Sequence, residues 1–293
     1  MSVAVRVIWA LLWRAAVLLA LWLVVLKFVF TRPTQFGESS LVSNQIRLQA
    51  VDKEGEGAGI MVGSSLIARL NPKIVSESCE GSPLVLCGLD GGRSELGLEL
   101  VGHLGTNPSF LVIEANTLLL GKNKNDEILL KQPEEVVFKL AKKALWVRAE
   151  NRPTALLYDR LKVWKDRRSA KKVSDFSGEE IEFGIQYSGT IGLEGDGFKI
   201  RGDQMISLVE GLGVSWDRVL FVMLPGGDVE CSREYGCFKY IQSITGVKIL
   251  DLDGAPLSKN FTYTDGRHLD LLSGNLASVL VGEALKKMGI GER

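Results

Sequence analysis

Gly59-Ile60-Met61-Val62-Gly63-Ser64-Ser65-Leu66 carries an apolar run into a Gly-Ser-Ser turn and then into a helical pattern. The run from Ala58 to Val62 reads as a short buried strand, with a helical stretch expected from Ser65 onward. Outward from this unit the same rhythm recurs. Leu84 to Cys87 is a second strand, followed by a helix over Ser94 to Leu104, and Phe110 to Ala115 is a third. Arg218 to Leu224 and Val247 to Leu252 read as further strands, and a last helix is expected from about His268 to Met288. Continuous apolar strands alternating with helices imply a mostly parallel sheet covered on both faces, a three-layer α/β/α architecture.

The ends of the chain read differently. Val7 to Phe30 is nearly all aliphatic and aromatic, interrupted by Arg14 and Lys27, and three Trp (Trp9, Trp13, Trp22) lie along it. A bilayer core needs about 20 apolar residues in helix, and flanking cations can snorkel to the headgroups. A cleaved signal would have a shorter apolar run and a small-residue site after it, whereas Phe28-Val-Phe-Thr-Arg-Pro33 follows here. Residues 1–32 are therefore expected to be an uncleaved single-pass anchor, 33–55 a polar linker, and 56–293 one α/β domain. An insertion or cap is expected at about 121–205. Within that insertion, Lys139 to Lys172 holds twelve Lys/Arg against three acids, and the segment after it, Val173 to Lys199, is acidic. The basic run suits an anionic lipid or polysaccharide, and equally a solvated helix face balanced by its acidic neighbour. The whole chain of 293 residues has a formal net charge of zero, so nothing in its overall charge calls for nucleic acid. Four cysteines leave open Cys231–Cys237 and Cys79–Cys87 bridges, with Cys87 also readable as a buried thiol.

Three features bear on chemistry. Ser65 stands where a strand runs into a helix, the edge at which open sheets place ligands, although a serine there also serves as a cap. His268 follows Asp265 by three residues, in Tyr263-Thr-Asp-Gly-Arg-His-Leu269. A carboxylate one turn before an imidazole can hold one ring nitrogen while the other faces a nucleophile. Between them, the Gly88-Leu-Asp-Gly91-Gly turn and Asn116 follow the second and third strands and can present N–H donors, as ordinary turns also do. His103 reads as a helix-end residue. No cysteine or histidine spacing points to a metal or other cofactor, and Gly-x-Ser-x-Gly is absent.

In their order and positions these pieces resemble the SGNH (GDSL-type) hydrolase superfamily, in which a Ser follows strand one, a Gly strand two, an Asn strand three, and Asp-x-x-His comes late. The resemblance implies a flavodoxin-like SGNH hydrolase fold with Ser65 as nucleophile, His268 as base and Asp265 as its orienting partner. It also implies an oxyanion hole from the Ser65 N–H, the Gly91 N–H and Asn116. Two departures stand out: Gly63-Ser64-Ser65 replaces Gly-Asp-Ser, leaving Ser64 as an alternative nucleophile, and Glu114-Ala-Asn-Thr117 keeps only the Asn of Gly-x-Asn-Asp. They are similar to those of membrane-tethered members linked to modifying bacterial cell-surface polysaccharides. The function expected on this basis is a serine esterase or O-acyltransferase acting on acyl, in the first place acetyl, esters of an exported glycan. Its domain would lie outside the cytoplasm, alongside other components of a polysaccharide system. The rival expectation is a non-catalytic binding or assembly protein on the same fold.

Overall fold

Runs of Val, Ile, Leu, Phe and Met, too short for helices and bounded by Gly or turn residues, form five strands. These are β1 (Gly59–Gly63), β2 (Leu84–Gly88), β3 (Phe110–Glu114), β4 (Val219–Met223) and β5 (Lys248–Asp251). The computed structural model describes residues 3–28, 34, 36–117, 124–144, 147–169, 181–184, 196–226, 232–254 and 261–290. All five strands are parallel, in the order β2-β1-β3-β4-β5. The chain leaves β1 toward β2 on one side and later toward β3 on the other. The carboxyl ends of β1 and β3 therefore flank the crevice where an open sheet binds ligands.

Ten helices occur among the described residues: α1 (Val3–Phe28), α2 (Ser40–Glu54), α3 (Pro72–Ser78), α4 (Ser94–His103), α5 (Lys124–Lys131), α6 (Val136–Lys143), α7 (Pro153–Ser169), α8 (Asp196–Gly211), α9 (Ser232–Thr245) and α10 (Leu271–Lys287). Strand residues alternate strictly between two cores. Ile60, Val62, Leu111, Ile113 and Phe221 pack toward α2, α4, α8 and α9, while Met61, Val112, Leu220 and Val222 pack toward α3 and α10. The α/β class and three-layer arrangement are thus present.

Several expectations change. Most of the expected linker, residues 40–54, is a helix of the domain: α2 is capped by Ser39, which accepts from the Val42 N–H, and it packs on β2 with Leu48 and Val51 in the core. The chain after Ser65 forms a 3-10 turn (Ile67–Arg69), and a separate short helix, α3, then starts behind Asn71 with Pro72 in its first turn. The last helix begins at Leu271, capped by Asp270 and not by Asp265. Only α5 to α7 behave as an insertion, because α8 belongs to the sheet's own helical layer through Met205 and Val209. A Cys79–Cys87 bridge is ruled out: both thiols are free, and they are buried in opposite cores. Burial in apolar surroundings pushes the Cys87 thiol up to about 12 despite the nearby Arg47 charge, so it stays unreactive. Cys231 and most of the acidic segment lie outside the described residues.

Helix α1 spans 26 residues, about 39 Å at ~1.5 Å per residue, against a hydrocarbon core of about 30 Å. Its window Val5–Trp22 has a mean hydropathy of 1.8, and none of it is buried against the rest of the chain. By length and composition this helix can cross a membrane.

Candidate active site

The turn after β1 is shaped by a carboxylate that no sequence motif advertised. Glu114, the last residue of β3, is fully buried, and its Oε2 accepts from the Ser64 N–H (2.7 Å) and the Ile67 N–H (3.1 Å). The Ser64 hydroxyl donates to the same carboxylate, 2.7 Å from Oε1, and accepts from the Leu66 N–H. Glu114 thereby caps the turn, doing for its orphan N–H groups what a local capping side chain does at a helix start. Burial pushes the Glu114 carboxyl above its ordinary pKa, outweighing the donors from Ser64 and Ile67. Gly63 makes the approach possible, since a Cβ there would sit 2.6 Å from Oε2.

With Ser64 turned inward to Glu114, Ser65 is turned outward. Its Oγ lies 2.8 Å from His268 Nε2. The other ring nitrogen, Nδ1, lies 2.7 Å from Asp265 Oδ2, while Asp265 Oδ1 accepts from the His268 and Arg267 backbone N–H groups. Partial burial raises the Asp265 pKa. The two backbone donors, the ring contact and the imidazole charge outweigh it and hold the carboxyl well below the usual carboxylate range. The loop carrying this pair is closed at its base, where Asp270 N donates to Thr262 O and Thr264 N to His268 O. Gly266 turns its tip at φ 77°. Residues 203 apart in sequence are thus within hydrogen-bond reach, and the two candidate serines are distinguished: the hydroxyl facing the imidazole is that of Ser65.

Gly91 lies across a cleft of about 300 Å³ that Ser65 and His268 also line. Its turn is held by α2. Asn44 brackets Asp90, accepting from its N–H (2.8 Å) and donating to its carbonyl (3.2 Å). Arg47, 3% exposed, donates to Gly88 O (2.6 Å) and to Asp90 Oδ1 (2.9 Å). These two residues were invisible to a reading that took α2 for a linker. Asn116 is placed differently from the expectation. Its side chain donates to Leu224 O (2.7 Å) and accepts from the Leu224 N–H (2.9 Å), joining the ends of β3 and β4. It is not among the residues lining the cleft. The neighbouring Thr117 hydroxyl accepts from the Ser94 N–H at the start of α4.

The chain matches no protein-family model, no curated protein and no solved structure. His103, at the end of α4, faces Glu134 at 3.8 Å on the surface. No cluster of three or more His, Cys, Asp or Glu with metal-binding geometry occurs among the described residues.

What the arrangement can do follows from its parts. An imidazole that receives a proton at Nε2 needs its tautomer fixed at Nδ1 and its positive charge supported, and Asp265 is set to do both. A hydroxyl at 2.8 Å from that nitrogen is in range for deprotonation as it attacks.

Proposed function

We propose that this chain is a membrane-anchored serine hydrolase or acyltransferase working on acyl esters of an exported glycan. The observation that carries the reading is the unbroken contact chain from Ser65 Oγ through His268 to Asp265. In this mechanism Ser65 Oγ bonds to the ester carbonyl carbon while its proton passes to His268 Nε2. Negative charge on the carbonyl oxygen is received by the Ser65 and Gly91 backbone N–H groups. Collapse breaks the bond to the alcohol oxygen, which takes the proton from His268 and departs, leaving an acyl-Ser65 ester. Water then attacks with the same proton relay to release the acid, or a sugar hydroxyl attacks and carries the acyl group away. The apolar helix α1 supports anchoring in a membrane, with the α/β domain on the extracytoplasmic side.

The engagement of Asn116 with Leu224 favours, as a second reading, a protein that binds esters without turning them over. A fluorophosphonate probe added to the full-length chain in detergent separates the two. The expected result is a single adduct mapped to Ser65, abolished in Ser65→Ala and slowed at least about 1000-fold in His268→Ala. A folded wild-type chain that takes up no probe would overturn the hydrolase reading. Release of p-nitrophenol from p-nitrophenyl acetate, with and without a glycan acceptor, then distinguishes hydrolysis from transfer.

A further inference from the structure

Exposed apolar side chains are unevenly spread over this molecule. Among the described residues beyond α1, helices α2, α5, α8, α9 and α10 each show a single large one. The insertion helices α6 and α7 show several apiece. Val136, Val137 and Leu140 share the outer face of α6, with Val136 72% exposed. On α7, Leu157, Leu161 and Trp164 recur at i, i+4 and i+7, with Leu157 62% exposed. The other faces are buried. Lys142 of α6 reaches Asp52 at the end of α2 (2.6 Å), and Ala155 of α7 clusters with Val42 and Ile46 near its start. Both helices thus rest on α2 and present apolar faces outward. Single exposed hydrophobics are ordinary on a protein surface, whereas grouped ones mark a contact. We infer that the outer faces of α6 and α7 lie in the headgroup region of the bilayer that α1 crosses. The inference rests on α1 as the anchor and not on the chemistry proposed at Ser65.

What singles out a bilayer as the occupant is the path of the chain. The Phe36 N–H donates to Asp159 Oδ1 on α7 (3.3 Å), and its ring lies under Lys162 Nζ. Phe28, the last residue of α1, is eight residues earlier, a reach of at most about 26–29 Å when fully extended. Helix α7 is therefore held close to the end of the anchor, whatever course the chain takes between them. Lys139 and Lys143 stand three residues after Val136 and Leu140, so their stems can follow the acyl boundary while the ammonium groups reach phosphates. From Lys139 to Lys172 the basic residues outnumber the acids twelve to three, the sign that an anionic leaflet attracts. The face is a secondary contact. Tethering gives it an effective concentration on the order of mM, and without the tether it does not hold the domain to lipid. Helix α7 also walls the Ser65 cleft through Lys162, so docking keeps that cleft within one helix diameter, about 10–12 Å, of the headgroups.

The test uses the full-length chain in nanodiscs of phosphatidylcholine and phosphatidylglycerol. A Cys231→Ser background leaves Cys79, Cys87 and Cys237, which are buried. An NBD dye is attached in turn at Leu140→Cys, at Leu161→Cys, at Leu18→Cys within α1, and at Ile244→Cys on α9. Helix α9 packs on β5, the edge strand opposite β2, on which α2 lies. Lipid carrying a nitroxide on its acyl chain quenches a dye that sinks about 5–10 Å into the interface. Quenching at Leu140 and Leu161 is expected to be at least about threefold that at Ile244. Leu157→Glu together with Leu161→Glu should bring the dye at Leu140 down to the level at Ile244, with the thermal midpoint unchanged. Dyes at Leu140 and Leu161 quenched no more than at Ile244 would overturn the inference. Blue-shifted but unquenched emission there, as a second copy of the chain or another segment of it would give, would overturn it too, as would indifference to the double substitution. If the dye at Leu18 is itself unquenched, the anchoring reading falls along with this one. If Leu18 is quenched and Leu140 and Leu161 are not, α1 remains an anchor and the docking alone falls.

Discussion

Ser64 and Ser65 are adjacent, chemically identical and oppositely employed, and Glu114 makes the difference. A carboxylate that holds the Ser64 N–H, the Ser64 hydroxyl and the Ile67 N–H fixes the rotation of the turn, which leaves Ser65 facing His268. Glu114→Gln swaps one acceptor oxygen for a donor among donors. It is expected to cost about 1–3 kcal/mol of stability and to slow probe labelling at least about tenfold while Ser65 remains the modified residue. Peptide mapping of Ser64→Ala should likewise find the adduct on Ser65, and an adduct at 64 in the wild type would sink this assignment. Asp265→Asn should slow labelling by about 10³–10⁴, since the neutral amide can favour the wrong ring tautomer. The serine, histidine and aspartate were legible as residue types at spacings that chemistry needs. Glu114 was not, because its partners lie 50 and 47 residues away and an acid closing an apolar strand has no local reason to be there.

At the level of elements, the strands were readable because strands buried on both faces leave continuous apolar runs. Helix α2 was missed for the opposite reason. It buries Asn44, Gln45, Arg47 and Gln49, whose partners come from the β2 turn and from the segment around Ala149 and Arg152. A polar helix face satisfied at long range looks like a linker in one dimension. Arg47→Met should destabilise the chain by about 1–3 kcal/mol, as loss of a charged hydrogen-bond donor from a half-buried pair does, and should slow labelling by loosening the Gly91 turn. Adding Asp90→Asn should recover part of the stability, because the stranded charge is gone; thermal midpoints of the two variants give the comparison. In α4, burial raises Glu95 to about 7, against the partial help of Arg93 and Arg201. A carboxyl that binds its proton more tightly when folded makes stability fall as pH rises from about 4.5 to about 7. Glu95→Gln should flatten that slope, which thermal midpoints across this pH range would register.

For the whole molecule, the helix that can enter a bilayer is structurally separate from the sheet. No residue of its window Val5–Trp22 is buried inside the chain, so the domain's stability is expected not to depend on it. A chain starting at Thr34 should keep its thermal midpoint within about 2 °C and its reactivity toward the probe. It should fail to float with liposomes that carry the full-length chain upward. Loss of folding on that truncation would show that α1 is part of the domain. The α/β class could be read from the rhythm of the strands, whereas the placing of α8 in the sheet layer and of α2 beneath the cleft depended on packing between distant segments.

The 203-residue separation of Ser65 from His268 also sets a clock. At about 5–20 residues per second of synthesis, His268 follows Ser65 off the ribosome by roughly 10–40 s. Throughout that interval α1 is already available to the membrane, and the serine has no imidazole beside it. On the hydrolase reading proposed above, reactivity is acquired only late in synthesis, so a nascent chain could not attack esters while its sheet is still being assembled.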